Sequence, residues 1–174
     1  MFWLLLLFAI IFSSLFSLAF AGFSFAPWVP CWSKDLARIF KAADLKNGEI
    51  FYDLGCGNGK TVLYAAKNFK IKAVGLELAL PLYFICQCRR FFNGTKNAEF
   101  KWKNLFKEDL ASADAVYFFG MPQPIHKRLK EKLERELKPG ARVISYVFPV
   151  PGWTPDAIDK PTNSDAAVYL YRRG

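Results

Sequence analysis

From Phe2 to Pro27 the chain carries no charged side chain, and the run Trp3-Leu4-Leu5-Leu6-Leu7-Phe8-Ala9-Ile10-Ile11-Phe12 continues through Phe16, Leu18 and Phe20. About 20 apolar residues are enough for a helix to cross a bilayer, so residues 1–26 are expected to form a transmembrane anchor. Beyond them the pattern breaks into short apolar runs that alternate with amphipathic ones. Helix is predicted over Ser33–Ala43, with Ser33 as its cap and Leu36, Ile39 and Phe40 on one face. Further helices are predicted over Lys60–Phe69, Pro81–Phe92 and Ile125–Leu137, the last with Ile125, Leu129, Leu133 and Leu137 spaced four apart. Strands are predicted over Glu49–Leu54, Ile71–Glu77, Ala98–Asn104, Ala113–Phe119, Ala141–Phe148 and Ala166–Tyr171.

Strands that alternate with helices imply an α/β fold, Rossmann-like and doubly wound, around a mostly parallel sheet of about six strands. Only residues 106–112 join the third and fourth strands, so one crossover helix is expected to have shrunk. The last strand follows a loop rich in Pro, Asp and Asn, so it is expected to be antiparallel. Residues 27–45 then form a linker and first helix, and 46–174 a single domain, a size that suits one hydrophobic core.

Charge refines this picture. Twenty-four Lys and Arg against 15 Asp and Glu give a net charge of +9. No Arg/Gly repeat or long Lys run favours nucleic acid, whereas a tethered domain gains from a basic face toward anionic lipid. Lys34, Arg38, Lys41 and Lys46 follow the apolar run and no basic side chain precedes it, so the positive-inside rule sets the domain on the cytoplasmic side of a single-pass span. Ala19-Phe20-Ala21 also fits the cleavage site of a signal peptide, but no Lys or Arg opens that segment and apolar character continues past it. Trp28 and Trp32 suit the membrane interface. The four cysteines, Cys31, Cys56, Cys86 and Cys88, form no C-x-x-C pair and read as reduced thiols, and no metal-ligand spacing is present. His126, the one histidine, reads as a surface residue.

Candidate chemistry centres on Asp53-Leu54-Gly55-Cys56-Gly57-Asn58-Gly59, set between a predicted strand and a predicted helix. Glycines let backbone turn sharply and approach a ligand, and the following helix offers free N–H groups. Gly59-Lys60-Thr61 matches the end of a P-loop, but Leu54 stands where its first Gly is required. A dinucleotide loop would place its third glycine one residue later than Gly59. The spacing with Asp53, Gly55, Gly57 and Gly59 resembles motif I of the seven-strand S-adenosylmethionine-dependent methyltransferases, which implies contacts from the acid and the loop backbone, Cys56 included, to the amino-acid part of the cofactor. Glu77 ends the second strand, where an acid can accept both ribose hydroxyls. Asn104-Leu105 ends the third, and the resemblance implies that Asn104 meets the adenine amine, although a turn Asn reads equally well.

Two further stretches narrow the resemblance. Ala26-Pro27-Trp28-Val29-Pro30 and Phe148-Pro149-Val150-Pro151-Gly152-Trp153-Thr154-Pro155, with Phe119-Gly120-Met121-Pro122-Gln123 between them, resemble a family of membrane-anchored protein-lysine methyltransferases. Its eukaryotic members act in mitochondria on the ATP synthase c subunit and the adenine nucleotide translocase. Cys56 and Asn58 depart from the more usual Ser and Asp. The resemblance implies a class I fold, S-adenosylmethionine as cofactor and a lysine side chain of a membrane-associated protein as acceptor. An amine must be neutral to attack, which an apolar slot favours; Phe119, Met121, Pro122 and Trp153 are the candidate slot residues. Two other readings remain open: methylation of a small hydrophobic molecule or lipid, and a nucleotide-binding module without catalysis.

Overall fold

The computed structural model describes residues 1–174. The first helix, α1 (Phe2–Ser24), has 23 residues and no buried side chain. At about 1.5 Å per residue it extends roughly 34 Å, slightly more than the hydrocarbon core of a bilayer. Its direct continuation belongs to the domain: Phe25 is buried edge-on against Phe106 and Phe118, with ring centroids 6.0 and 6.2 Å away. The lack of nearby charge groups Phe25 with the anchor in sequence, but its ring is a core residue.

After α2 (Ser33–Ala43), strands and helices alternate: β1 (Ile50–Leu54), α3 (Lys60–Asn68), β2 (Lys72–Glu77), α4 (Leu80–Asn93), β3 (Ala98–Trp102) and β4 (Ala115–Phe119). A helical stretch over 122–136 follows, then β5 (Arg142–Tyr146), β6 (Ala157–Asp159) and β7 (Val168–Arg172). The sheet has seven strands in the order β3-β2-β1-β4-β5-β7-β6. Pairing is parallel from β3 to β5, and β7 runs antiparallel to both β5 and β6. The reading of about six strands misses β6, three residues inside the Pro- and Asp-rich loop, too short to show an alternation. The antiparallel last strand and the shrunken crossover are both present, the latter as a 3₁₀ turn at Leu105–Lys107.

Side chains alternate across the sheet into two cores. Phe51, Ala73 and Tyr117 meet α2 and α3 on one face. Tyr52, Leu76, Val116 and Phe118 meet the stretch 122–136 on the other. That stretch is α5 (Pro122–Pro124), a π turn (Ile125–Leu129) and α6 (Lys130–Glu136). Spacing of four in an α-helix drifts by about 40° per step around the axis. The wider π turn takes up that drift, and Ile125, Leu129, Leu133 and Leu137 all stay buried.

One cap differs from expectation. Trp32 occupies the N-cap of α2 without a side-chain bond, and Ser33 is the first helical residue. The Ser33 hydroxyl instead accepts from the Lys60 ammonium at 2.8 Å, which also reaches the Cys31 carbonyl at 2.7 Å. The helix start is therefore pinned to the residue that follows the glycine loop.

Candidate active site

Strand β1 lies between β2 and β4, so the chain leaves the carboxyl ends of β1 and β4 toward opposite faces. A crevice opens at such a switch point. Asp53, Gly55, Cys56, Gly57, Glu77, Asn104 and Leu105 all line one cavity there. Gly59, the remaining member of the loop, sits behind it. A Cβ on Gly59 would come 2.7 Å from the Phe100 ring, and its φ of +73° is left-handed. Gly59 therefore serves the packing of loop on core rather than the cavity wall.

The loop is held rigidly. The N–H groups of Gly55 and Cys56 both donate to the Leu76 carbonyl at 2.9 Å, the Cys86 thiol donates to the Gly57 carbonyl, and Arg89 holds the Asn58 carbonyl at 2.8 Å. Glu77 joins the loop to the end of β2: one carboxylate oxygen accepts the Gly57 N–H at 2.7 Å, the other those of Leu78 and Ala79 at 2.8 and 2.7 Å. Carboxylate oxygens have two lone pairs each, so the one facing Gly57 retains acceptor capacity for a ligand hydroxyl.

Electrostatics of the two acids are alike in direction. Burial raises the Asp53 carboxyl well above the ordinary 3.8, the nearby Glu77 charge adds to this, and the Thr61 hydroxyl opposes it. Burial also raises Glu77, against the three backbone donors that stabilise its charged form. Two buried carboxyls without a cationic side-chain partner make a site suited to a ligand that brings its own positive charge and hydroxyl groups. A zwitterionic sulfonium nucleoside meets that description, and the cavity's apolar wall at Leu78, Ala79 and Leu105 suits a flat base.

Asn104 combines its two sequence readings. Its side-chain oxygen accepts the Phe106 N–H at 2.9 Å and caps the 3₁₀ turn. One lone pair of that oxygen and the NH₂ donor remain for a ligand, so the amide can meet either the adenine amine or a ring nitrogen.

The proposed slot residues separate. Phe119 lines the cavity, with Phe148 beside it at 6.2 Å between centroids. Met121 and Pro122 are exposed and lie outside the lining; the Met121 N–H donates to the Phe25 carbonyl. Trp153 is also outside it: its indole N–H donates to Glu134 at 2.8 Å and its ring meets Tyr171 edge-on. Trp153 thus fastens the β5–β6 connection onto α6. Aromatic character alone does not distinguish a ring in a slot from one that ties two elements together. Val147, at the end of β5, has a φ of +75°, unusual for a β-branched residue, and this turn directs Phe148 toward Phe119.

The residues that sequence reasoning missed form the cavity's roof. Leu18, Ala21 and Gly22 at the end of α1, then Phe25, Trp28 and Cys31, all line it. Trp28 lies over the glycine loop, so that a Cβ on Gly57 would come 2.6 Å from the indole. Trp28 seats one edge against the loop and leaves about half of its surface exposed, and Trp32 is exposed under Lys34. Cys31 faces Tyr117, and burial pushes its thiol up to about 11. The available signal was the Pro-Trp-Val-Pro stretch itself, too ordered in composition for a free linker.

Comparison with known proteins extends the geometry. The sequence model of the ANTKMT methyltransferase domain matches residues 53–157. A protein-lysine N-methyltransferase of Saccharolobus islandicus is 38% identical, over 83% of this chain and 92% of that protein. The human lysine N-methyltransferase of the ATP synthase c subunit is 37% identical over 76% of this chain, but the match spans only 56% of its length. Among solved structures, an RNA methyltransferase from Salinibacter ruber, in complex with S-adenosyl-L-homocysteine, superposes with a TM-score of 0.78 at 28% identity, over 83% of this chain and 93% of that one.

Proposed function

The chain belongs to the ANTKMT methyltransferase family, and on that premise we propose that it methylates lysine side chains of a membrane-associated protein. It is a class I S-adenosylmethionine-dependent methyltransferase. The observation that carries the acceptor reading is the 38% identity to a protein-lysine N-methyltransferase along nearly that protein's whole length. The uncharged, unburied helix Phe2–Ser24 supports the membrane setting. Residues 1–26 act as a single-pass anchor whose last part, from Leu18, joins Trp28 and Cys31 in the cleft's roof; 27–45 continue it as linker and first helix, and 46–174 carry the catalysis, on the cytoplasmic side where Lys34, Arg38, Lys41 and Lys46 follow the span.

When bound, S-adenosylmethionine supplies a methyl group on a sulfonium, a good leaving group, and the acceptor nitrogen gains that methyl as S-adenosylhomocysteine departs. The chain's task is mainly orientation and exclusion of water. Asp53 and the loop backbone hold the cationic amino-acid end, Glu77 the ribose, and Asn104 with Leu105 the base. Phe119 and Phe148 offer an apolar wall against which an acceptor amine loses its proton more readily. Trp28 closes the cleft over Gly57.

The test is incubation of the full chain with methyl-labelled cofactor and a membrane extract, followed by mass spectrometry of the labelled fraction. Methyl-lysine in a membrane protein is the expected product. Label found only in lipid or RNA would assign a different acceptor, RNA being the one raised by the Salinibacter ruber structure.

A further inference from the structure

α4 is apolar on two faces. Leu82 and Cys86 point into the fold. Phe84, Ile85, Cys88, Phe91 and Phe92 repeat at helical spacing on the opposite side and face outward. Phe91 and Phe92 are 81% and 82% exposed, and Trp102, on the neighbouring edge strand, is 57% exposed. An outward stripe of this kind is what a helix needs to lie in a membrane interface.

Two features identify the surface that covers it. The first is continuity with α1. α4 lacks a side-chain cap of its own, and Ser17 of α1 supplies one, accepting the Leu80 N–H at 2.9 Å. The side of α1 that is partly covered carries the small residues Ser14, Ser17, Ala21 and Gly22. Of its large residues only Leu18 is partly covered, where it lines the cleft; the others, among them Phe12, Leu15, Phe16 and Phe20, remain exposed like the α4 stripe. α1 is therefore seated on the domain over its second half. A bilayer that takes up α1 meets α4 as well.

The second feature is charge. Lys70, Lys72, Arg90 and Lys96 gather in a shallow depression at the far end of α4, opposed there by Glu99 alone. Anionic headgroups beside a shallowly buried aromatic stripe would meet these cations.

We propose that the outward face of α4, with Trp102, is a second membrane-contact surface that lies in the headgroup region of an anionic bilayer and sets the cofactor cleft directly at the membrane. This rests on the reading of α1 as an anchor. The catalytic domain is then pressed onto the membrane, and an acceptor lysine has to be presented close to the headgroups.

The experiment uses the full chain in vesicles of phosphatidylcholine and phosphatidylglycerol. Cys88 sits within the stripe and is exposed, so in a Cys31→Ser background a polarity-sensitive maleimide dye reports its surroundings. A Cys31→Ser/Cys88→Ser/Lys160→Cys chain carries the same dye at the opposite edge of the sheet. Insertion of α1 is followed separately, by resistance to alkaline extraction. The expected result is blue-shifted emission at Cys88, quenched by lipid-borne quenchers, and aqueous emission at position 160. Phe91→Glu/Phe92→Glu should return the Cys88 dye to aqueous emission without releasing the chain from the vesicles. An aqueous Cys88 dye on a chain that resists extraction overturns the second contact and leaves the anchor standing. A chain that is extracted overturns both. Shielding that accompanies dimerisation in detergent gives the face to a second copy, and shielding that needs the acceptor protein gives it to the acceptor; either outcome overturns the proposal.

Discussion

The carboxyl edge of the sheet has two halves built on different rules. At β1 and β2 it is polar and tightly cross-linked, with Glu77 alone accepting three backbone N–H groups from the loop and from its own turn. At β4 and β5 it is aromatic, with Phe119 between Tyr146 and Phe148 at 6.4 and 6.2 Å. A fixed cofactor is best met by directional bonds from contiguous segments. An acceptor amine that must lose its proton before attack is better met by apolar rings drawn from several segments. The difference also predicts how each half fails when altered: the first through cofactor affinity, the second through turnover.

Glu77→Ala gives the largest effect. It strands the N–H groups of Gly57, Leu78 and Ala79 and removes the acceptor proposed for the ribose. Hydrogen bonds to charged groups are worth about 1.5–3 kcal/mol each, so loss of even one or two weakens cofactor binding by about a hundredfold. Calorimetry with S-adenosylmethionine measures it. An affinity equal to that of the parent chain would dissolve the distinction between the halves. The roof is probed next. Gly57→Ala forces a Cβ against Trp28 and strains a left-handed φ of +56°, and about 1–2 kcal/mol of strain corresponds to about a tenfold or larger loss of affinity. Trp28→Ala added to it restores the space but not the backbone freedom, so the pair should recover part of the loss. If the double variant binds no better than additivity predicts, Trp28 does not rest on the loop.

The aromatic half is sharpened by two rings that look alike in sequence. Phe119→Ala should lower kcat/KM by about tenfold with cofactor affinity kept, since Phe119 lines the cavity on the aromatic half proposed for the acceptor. Trp153→Phe removes the bond to Glu134 and should cost about 1 kcal/mol of stability with kcat unchanged. Steady-state kinetics beside thermal unfolding separates the two. A Trp153→Phe enzyme of normal stability and lowered kcat would return Trp153 to the slot.

This contrast also governs how far the molecule was legible. The glycine loop and the two acids occupy single short segments whose spacing is itself the signal, and all the predicted parallel strands were found within a few residues of their expected bounds. Trp153, Met121 and Pro122 lie outside the cavity lining, which their sequence does not announce, because aromatic and turn residues near a strand end look the same whether they line a cleft or brace a connection. The roof was hidden for another reason: nothing local in Pro27-Trp28-Val29-Pro30 encodes that Lys60, 30 residues on, fixes the neighbouring Cys31 carbonyl and Ser33 hydroxyl. β6 was too short for a periodicity to exist. The outward stripe of α4 reads in sequence as ordinary helix core, because periodicity marks an apolar face without saying what covers it.

The smallest effect tests whether the polar half is poised for a cation. Burial holds Asp53 well above 3.8 and Glu77 above 4.5 in the free protein. A raised acid contributes stability that is complete below its unfolded pKa and lost as pH climbs through the folded value. The free protein should therefore lose stability, through these two groups, on leaving the acid range. Cofactor binding carries the opposite sign. A bound ammonium or sulfonium favours the ionised carboxyls, so binding releases protons and affinity rises with pH until the raised folded pKa of Asp53 is passed, then levels off. The change is expected to be a few-fold, about 1 kcal/mol or less, because Glu77 already has backbone donors for its charge. Calorimetry at several pH values, in two buffers of different ionisation enthalpy, counts the released protons. Asp53→Asn keeps the shape, and should flatten the pH dependence and lower affinity above that pKa. If affinity is flat across the range in the parent chain, Asp53 does not sense the cofactor's charge, and its burial serves only the packing of β1 against α3.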